Sequence, residues 1–306
     1  MSLAGGPAPT AREPAGSASG TARSRTISAM DARTIERREL VLMASTVIAL
    51  SRLLEGPLEW LVAGLLAASV VTGSLWLFGA GHPRGIAVES TILPALAAVA
   101  SIGVLRVVPD GLPILVAVAL AALLLDRALA LELHLLRRTA PASADDRTYV
   151  LALAVLVSFL AFIGAAALVQ GGLVEPASTA GVGAGSGTGS GTSPLSQSAL
   201  VVLAMTDALV GGLLGFRLSV LRERTRRTAL WSAGTYAAVV AIAAGAIRAV
   251  ALPRLLGPAI VTLVFFLWDA IRGSPPDQRR DPRWIWQTAL LGILGVAVIA
   301  WNVALR

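Results

Sequence analysis

Charged residues inside long apolar runs are the features of this sequence that could do chemistry, because a charge within a membrane is costly and usually functional. Asp207 lies near the middle of one such run, and Asp126 and Arg127 lie together in an earlier one. Glu132 and His134 follow on the next turns of that earlier run. These five residues are the candidate buried charges.

A carboxylate at the depth predicted for Asp207 must be neutral, hydrated or paired. If the runs cross a membrane in alternating directions, Asp207 lies about 14 Å and Arg127 about 21 Å below the same boundary. An arginine side chain can cover that difference, so we expect an Asp207–Arg127 ion pair or a cluster that includes Asp126. Such a group could clamp the helix register, relay protons or ions, or line a water-filled cavity. The sequence leaves these three roles open.

The residue types that are missing exclude many other chemistries. All 25 basic residues are arginine, so there is no lysine for a P-loop phosphate site or for a Schiff base. No cysteine is present, which excludes disulfides, thiolate metal sites and thiol nucleophiles. With only two histidines, the sequence predicts no catalytic set, no metal site and no cofactor.

Composition and run length place the chain in a membrane. It is 56% hydrophobic and only 14% charged, with a mean hydropathy of +0.76. Apolar runs of about twenty residues, the length that crosses a bilayer, recur throughout. They cover residues 40–54, 58–80, 86–108, 113–135, 148–171, 196–216, 229–252, 255–271 and 285–305. The sequence therefore predicts an all-α, polytopic transmembrane helical bundle of about nine spans, or eight if residues 40–54 lie in the interface.

The placement of arginine predicts the orientation of the bundle. With nine spans, nineteen arginines fall in the N-terminal segment and in alternate loops, whereas the other loops and the C-terminus hold three. Because cytoplasmic loops carry an excess of basic residues, the N-terminus is predicted to be cytoplasmic. The predicted location is the inner (plasma) membrane of a bacterium, and the basic excess indicates contact with lipid headgroups, not with nucleic acid.

Two segments outside the runs divide the chain. Residues 1–38 have almost no large apolar side chains and are predicted to be a disordered cytoplasmic tail, whose last part could extend the first helix. Residues 172–194 are rich in Gly, Ser and Thr and are predicted to be a flexible extracytoplasmic loop. Helices 1–5 would then occupy residues 39–171, and helices 6–9 residues 195–306.

Small residues recur at helical spacing in two of the runs and predict close helix packing. In lipid, such stripes let helix backbones approach each other. They support packing within the chain, and they leave open a homo-oligomer or contact with other membrane subunits. The predicted packing residues are Gly211, Gly215, Ala233, Ala237, Ala241, Gly245 and Ala249.

Function is less determined than location. The runs contain no HExxH or GxSxG motif, so the sequence does not favour an enzyme, although a lipid-modifying enzyme stays open. The buried charges favour a small-solute or ion permease. The alternative is a non-catalytic membrane scaffold or sensor subunit.

Overall fold

The structure is a computed structural model that describes most of the chain. The described residues are 18–54, 56–79, 88–138, 142–169, 197–223, 225–249, 255–274 and 281–304. The predicted flexible loop at 172–194 and the first seventeen residues of the predicted tail lie outside them.

The described residues form an all-helical bundle, which confirms the predicted fold class. A 3₁₀ turn at Val88–Thr91 precedes the third helix. The α-helices are α1 Ala18–Ser51, α2 Pro57–Gly79, α3 Ile92–Val107, α4 Leu112–Arg137, α5 Ala144–Leu168, α6 Gln197–Val220, α7 Arg226–Ala249, α8 Leu256–Gly273 and α9 Pro282–Ala304.

Eight of these helices, α2 to α9, are long and apolar enough to cross a membrane, and α1 is not among them. Only the last part of α1 is apolar, because its earlier turns carry Glu36, Arg37, Arg38 and Glu39. This apolar part nevertheless packs into the bundle, where Ala44 and Ile48 are fully buried against α2, α3 and α4. The helix also begins at Ala18, so the predicted tail is helical over 18–38.

The helices run up and down, as their paired ends show. Arg52 at the end of α1 reaches Asp110 between α3 and α4, so the α1–α2 and α3–α4 connections lie at the same end of the bundle. At the other end, Glu132 near the end of α4 meets Arg217 near the end of α6. We call this second end, where α4, α6 and α8 end and α5 and α7 begin, the arginine-rich end. The first is the opposite end.

Helix α3 lies at the centre of the bundle. About 61% of its apolar segment is buried, and it contacts α2, α4 and α5 as well as α1 and α6. Two apolar cores meet along it, one built with α1, α2 and α4 and the other with α5 to α8. Helix α9 is peripheral, since only 6% of its apolar segment is buried and its principal described contacts are with α8.

Glycines permit the two closest helix contacts. A Cβ atom on Gly103 of α3 would overlap the backbone of Gly164 in α5. Between α6 and α7, a Cβ atom on Gly211 would lie 2.7 Å from Val240 Cγ2, and one on Gly215 would overlap the ring of Tyr236. Such contacts let helix backbones approach closely, as the small-residue patterns led us to expect.

The packed face of α7 differs from the predicted stripe. Ala233 and Ala237 contact α6, but Ala241 is only half-buried and Gly245 is exposed. The side chain of Ala249 lies outside the described residues. A strict four-residue spacing drifts around a helix of 3.6 residues per turn, so the stripe turns away from α6. The buried face instead combines steps of three and of four residues, through Ala229, Ala233, Tyr236, Val240, Ala244 and Ile247.

The starts of α5 and α3 each carry a residue pattern that is typical of a helix N-terminus. Ser143 caps α5, accepting a hydrogen bond from the Asp146 backbone N–H at 3.2 Å, while the Asp146 carboxylate accepts one from the Ser143 N–H at 2.9 Å. This reciprocal arrangement is a capping box. The capping box gives a structural role to Asp146, the second of two adjacent aspartates. Pro94 lies in the first turn of α3, where a proline does not interrupt a helix.

Candidate functional site

Asp207 is fully buried near the middle of α6. It follows Gln197 by ten residues and precedes Val220 by thirteen, which places it about 15 Å and about 20 Å from the two helix ends. One turn before it, Leu203 packs against Ala165 and Ala166 of α5. One turn after it, Gly211 packs against α7. The carboxylate therefore belongs to the interior of the α5–α6–α7 half of the bundle.

Glu132 of α4 forms a buried bidentate ion pair with Arg217 of α6. The arginine Nε donates to Glu132 Oε1 at 2.8 Å, and its Nη2 donates to Oε2. Both residues are almost completely buried. Because each partner would be a costly lone charge without the other, the pair holds α4 and α6 together.

Asp269 near the end of α8 is the second buried carboxylate at the arginine-rich end. Arg222, in the turn between α6 and α7, donates two hydrogen bonds to it, at 2.9 and 2.7 Å. The Tyr236 hydroxyl of α7 donates a third, at 2.7 Å. Burial would lower the pKa of Arg222, but its hydrogen bonds and attraction to Asp269 outweigh burial and raise that pKa, so the arginine stays charged.

Two weaker contacts complete the layer at this end. Arg226, at the start of α7, lies 3.4 Å from Glu89 of the 3₁₀ turn. Arg272 of α8 donates a hydrogen bond to the Ser232 hydroxyl of α7 at 2.6 Å. The arginine-rich end is thus joined across α4, α6, α7, α8 and the start of α3 by arginine side chains.

Arginines also join the helices at the opposite end, with different partners. Arg106 of α3 forms an ion pair with Glu59 of α2, and it donates hydrogen bonds to the carbonyl groups of Ser51 and Leu54. Arg52 lies 2.8 Å from Asp110, whose side chain is 88% exposed. Here arginine binds backbone carbonyl groups at and just after the end of α1 as well as carboxylates.

The expected Asp207–Arg127 ion pair does not form among the described residues. Arg127 is exposed on the outer face of α4, where it lines two pockets between α4 and α5. Its neighbour Asp126 is half-buried and pairs instead with Arg37 of α1 at 2.9 Å. The expected pair was inferred from the depths of Asp207 and Arg127 along their helices. Depth alone does not determine which way a side chain points around the helix axis.

His134 is also outside the interior. Its side chain is exposed, and it lines a pocket of about 240 Å³ between α1 and α4 together with Thr34, Arg37 and Arg137. Its Nε2 lies 3.7 Å from Asp146. Of the five candidate charges, Asp207 and Glu132 are fully buried, Asp126 is half-buried, and Arg127 and His134 are exposed.

Most of the ion-pair partners at the arginine-rich end are not evident from the sequence. Arg217 and Arg222 had been counted as loop charges, yet α6 continues to Val220 and both side chains turn back into the bundle. Asp269 is not among the five candidate charges, yet it is buried against Arg222 and Tyr236. The sequence does contain a signal for the Glu132–Arg217 pair, because these two residues lie at similar depths near the ends of their helices.

The bundle therefore has a layer of ion pairs at each end, which we call the two ion-paired layers, and the buried Asp207 carboxylate lies between them. Within the described residues no group of three or more potential metal ligands is found. No protein-family model matches the chain, and comparison with characterised proteins and with solved structures finds no match.

Proposed function

We propose that the protein is an ion permease in which Asp207 binds the transported proton or cation. The observation that carries the proposal is the fully buried Asp207 carboxylate in the middle of α6, between ion-paired layers at the two ends of the bundle. Ionisable residues at such depth mark ion pathways and proton relays in membrane proteins. A buried carboxylate can take up a proton or a cation because neutralising its charge relieves the penalty of burial.

The two layers act as gates in this proposal. Transporters expose a central site alternately to each side by rocking groups of helices about it. Breaking the Glu132–Arg217 pair would separate α4 from α6 at the arginine-rich end. Breaking the Arg106 contacts would release α1 and α2 from α3 at the opposite end. The glycine contacts between α6 and α7 make those two helices a unit that moves together.

Ion flux into liposomes tests the proposal. The full chain is reconstituted, and the internal pH is followed with a trapped dye under an imposed pH gradient, with parallel measurements for Na⁺ and K⁺. We expect flux of at least one of these cations above that of protein-free liposomes, and an Asp207→Asn variant should lower it by about tenfold or more. Asp145→Asn, which removes an exposed carboxylate that none of the ion pairs among the described residues uses, is the matched control and should retain flux.

A membrane scaffold is the second candidate, and α9 is the observation that favours it. This helix is apolar on all sides and little of it is buried by the rest of the chain. A scaffold would use such a helix to contact another membrane subunit. If the wild-type protein carries none of the three cations and Asp207→Asn unfolds at the same temperature, the permease proposal is wrong and the scaffold is favoured.

A further inference from the structure

A groove runs between α4 and α5 on the outer surface of the bundle. Two pockets, of about 490 and 460 Å³, share Arg127, Leu153 and Leu156 and are therefore parts of one depression. Each part has the size of a small-molecule site. The groove lies on the opposite side of α4 from the packed α1 and opens to the region that lipid occupies around a membrane protein.

The two parts of the groove differ in chemistry. The part toward the opposite end is lined by aliphatic side chains, such as Leu120 of α4 and Leu160 of α5, and α3 contributes Leu105 and Ser101 beneath them. The part toward the arginine-rich end contains Tyr149. Tyr149 is exposed and follows Ala144, the first residue of α5, by five residues, about 8 Å along the helix. Tyrosine at that depth is typical of the headgroup level of a membrane.

Arg127 is the charged residue of the groove, and no carboxylate lines either part of it. It precedes Arg137, the last residue of α4, by ten residues, about 15 Å. Among the described residues it forms no ion pair, because the adjacent Asp126 is paired with Arg37. An exposed guanidinium at that depth is costly in lipid. An anion bound in the groove would remove that cost.

We propose that the α4–α5 groove binds an anionic phospholipid. The phosphate lies against the Arg127 guanidinium, beside Tyr149, and one acyl chain extends along the aliphatic part of the groove. A guanidinium suits this role because its planar donors match phosphate oxygens in a bidentate contact. The depth of Arg127 places the phosphate deeper than the bulk headgroups. The site therefore selects an anionic lipid, because its attraction to Arg127 compensates for moving the headgroup inward.

Lipid-dependent stability of the purified full chain tests this site. The unfolding temperature in a neutral detergent is followed by tryptophan fluorescence while phosphatidylglycerol is added, and separately phosphatidylcholine with the same acyl chains. We expect phosphatidylglycerol to protect at a concentration at least about fivefold lower, since one cation near the membrane surface contributes roughly that preference for anionic lipid. Arg127→Gln should abolish the preference. Arg147→Gln, an exposed arginine of α5 that does not line the groove, should retain it.

A second variant keeps Arg127 and fills the groove. Leu156→Trp places a large apolar side chain in the shared part of the depression, and it should weaken protection by phosphatidylglycerol while leaving the unfolding temperature without lipid unchanged. Equal protection by the two lipids would overturn the proposal, as would a preference that survives both Arg127→Gln and Leu156→Trp. Equal protection by inorganic phosphate would also overturn it, because the acyl chain would then contribute nothing.

Discussion

Arginine ion pairs join the helices at both ends of the bundle, but the Glu132–Arg217 pair at the arginine-rich end is far more deeply buried than the Arg52–Asp110 pair at the opposite end. At the arginine-rich end, Glu132 and Arg217 are nearly inaccessible and are paired through two hydrogen bonds. At the opposite end, Arg52 pairs with Asp110, whose side chain is almost fully exposed. A charge in water keeps its hydration when its partner is lost, whereas a buried charge does not. The same residue types should therefore contribute very different energies at the two ends.

Glu132→Ala should have the largest effect, because it leaves Arg217 buried without its carboxylate. Removing one partner of a buried pair destabilises a protein by about 3–5 kcal/mol. Unfolding of the purified protein in detergent, followed by tryptophan fluorescence, measures this. Replacing both residues by leucine should recover most of the loss, since no lone charge then remains. A loss below about 1 kcal/mol in the single variant would show that the two ends do not differ as described.

Gly103→Val tests the contact between α3 and α5, which lies near the opposite end of the bundle. The added side chain would overlap the backbone of Gly164, so α3 and α5 must separate. Overpacking of this kind destabilises by about 1–3 kcal/mol, and more where backbone must shift. Gly245→Val is the matched control, because nothing lies within 4 Å of a Cβ atom at that position. Equal unfolding temperatures for the two variants would contradict the close α3–α5 contact.

Tyr236→Phe sharpens the description of the arginine-rich end by removing a single hydrogen bond. Asp269 loses the donor at 2.7 Å but keeps both bonds from Arg222. The expected loss is about 1.5–3 kcal/mol, the range for hydrogen bonds to charged groups, and the lower part applies because Arg222 remains. Equilibrium unfolding measures it. A loss as large as that of Glu132→Ala would mean that the tyrosine, not the arginine, holds Asp269.

Asp110→Ala should have the smallest effect, below about 1 kcal/mol, because its partner Arg52 is partly exposed and also bonds the Leu105 carbonyl. The small difference from wild type should shrink further in high salt, which screens exposed charges. The same unfolding experiment at low and high salt checks both points. A large, salt-independent loss would show that Asp110 is effectively buried in the membrane-bound protein.

The helices were predictable because the signal for each is long and local. Runs of apolar residues specify spans, and Ser143 with Asp146 or Gly211 with Gly215 specify a cap or a contact by their spacing alone. The partners of the charges were not predictable in the same way. Asp207 and Arg127 lie at compatible depths, but one points into the bundle and the other away from it. That direction depends on which helices are neighbours, and a single sequence does not specify the order of helices around a bundle.

Arg217 shows a related limit, which concerns where a helix ends. Counting basic residues by loop assigned Arg217 to a loop. The helix continues past it, however, because Leu218 and Ser219 also pack in the interior. Helix ends are the least certain part of a sequence-based assignment. In this protein the charges that join the helices lie at those ends.

Access to the region of Asp207 from both sides of the membrane is the most direct test of the permease. The chain contains no cysteine, so a single Leu203→Cys reports on a position one turn from Asp207 that is fully buried in the described structure. Membrane-impermeant maleimide is applied to one side of reconstituted liposomes and then, in a separate sample, to the other. If the two ion-paired layers open in turn, the cysteine is labelled from both sides, and Asp207→Asn changes the ratio of the two rates. A cysteine that is labelled from neither side, in a protein that unfolds at the wild-type temperature, would contradict the account.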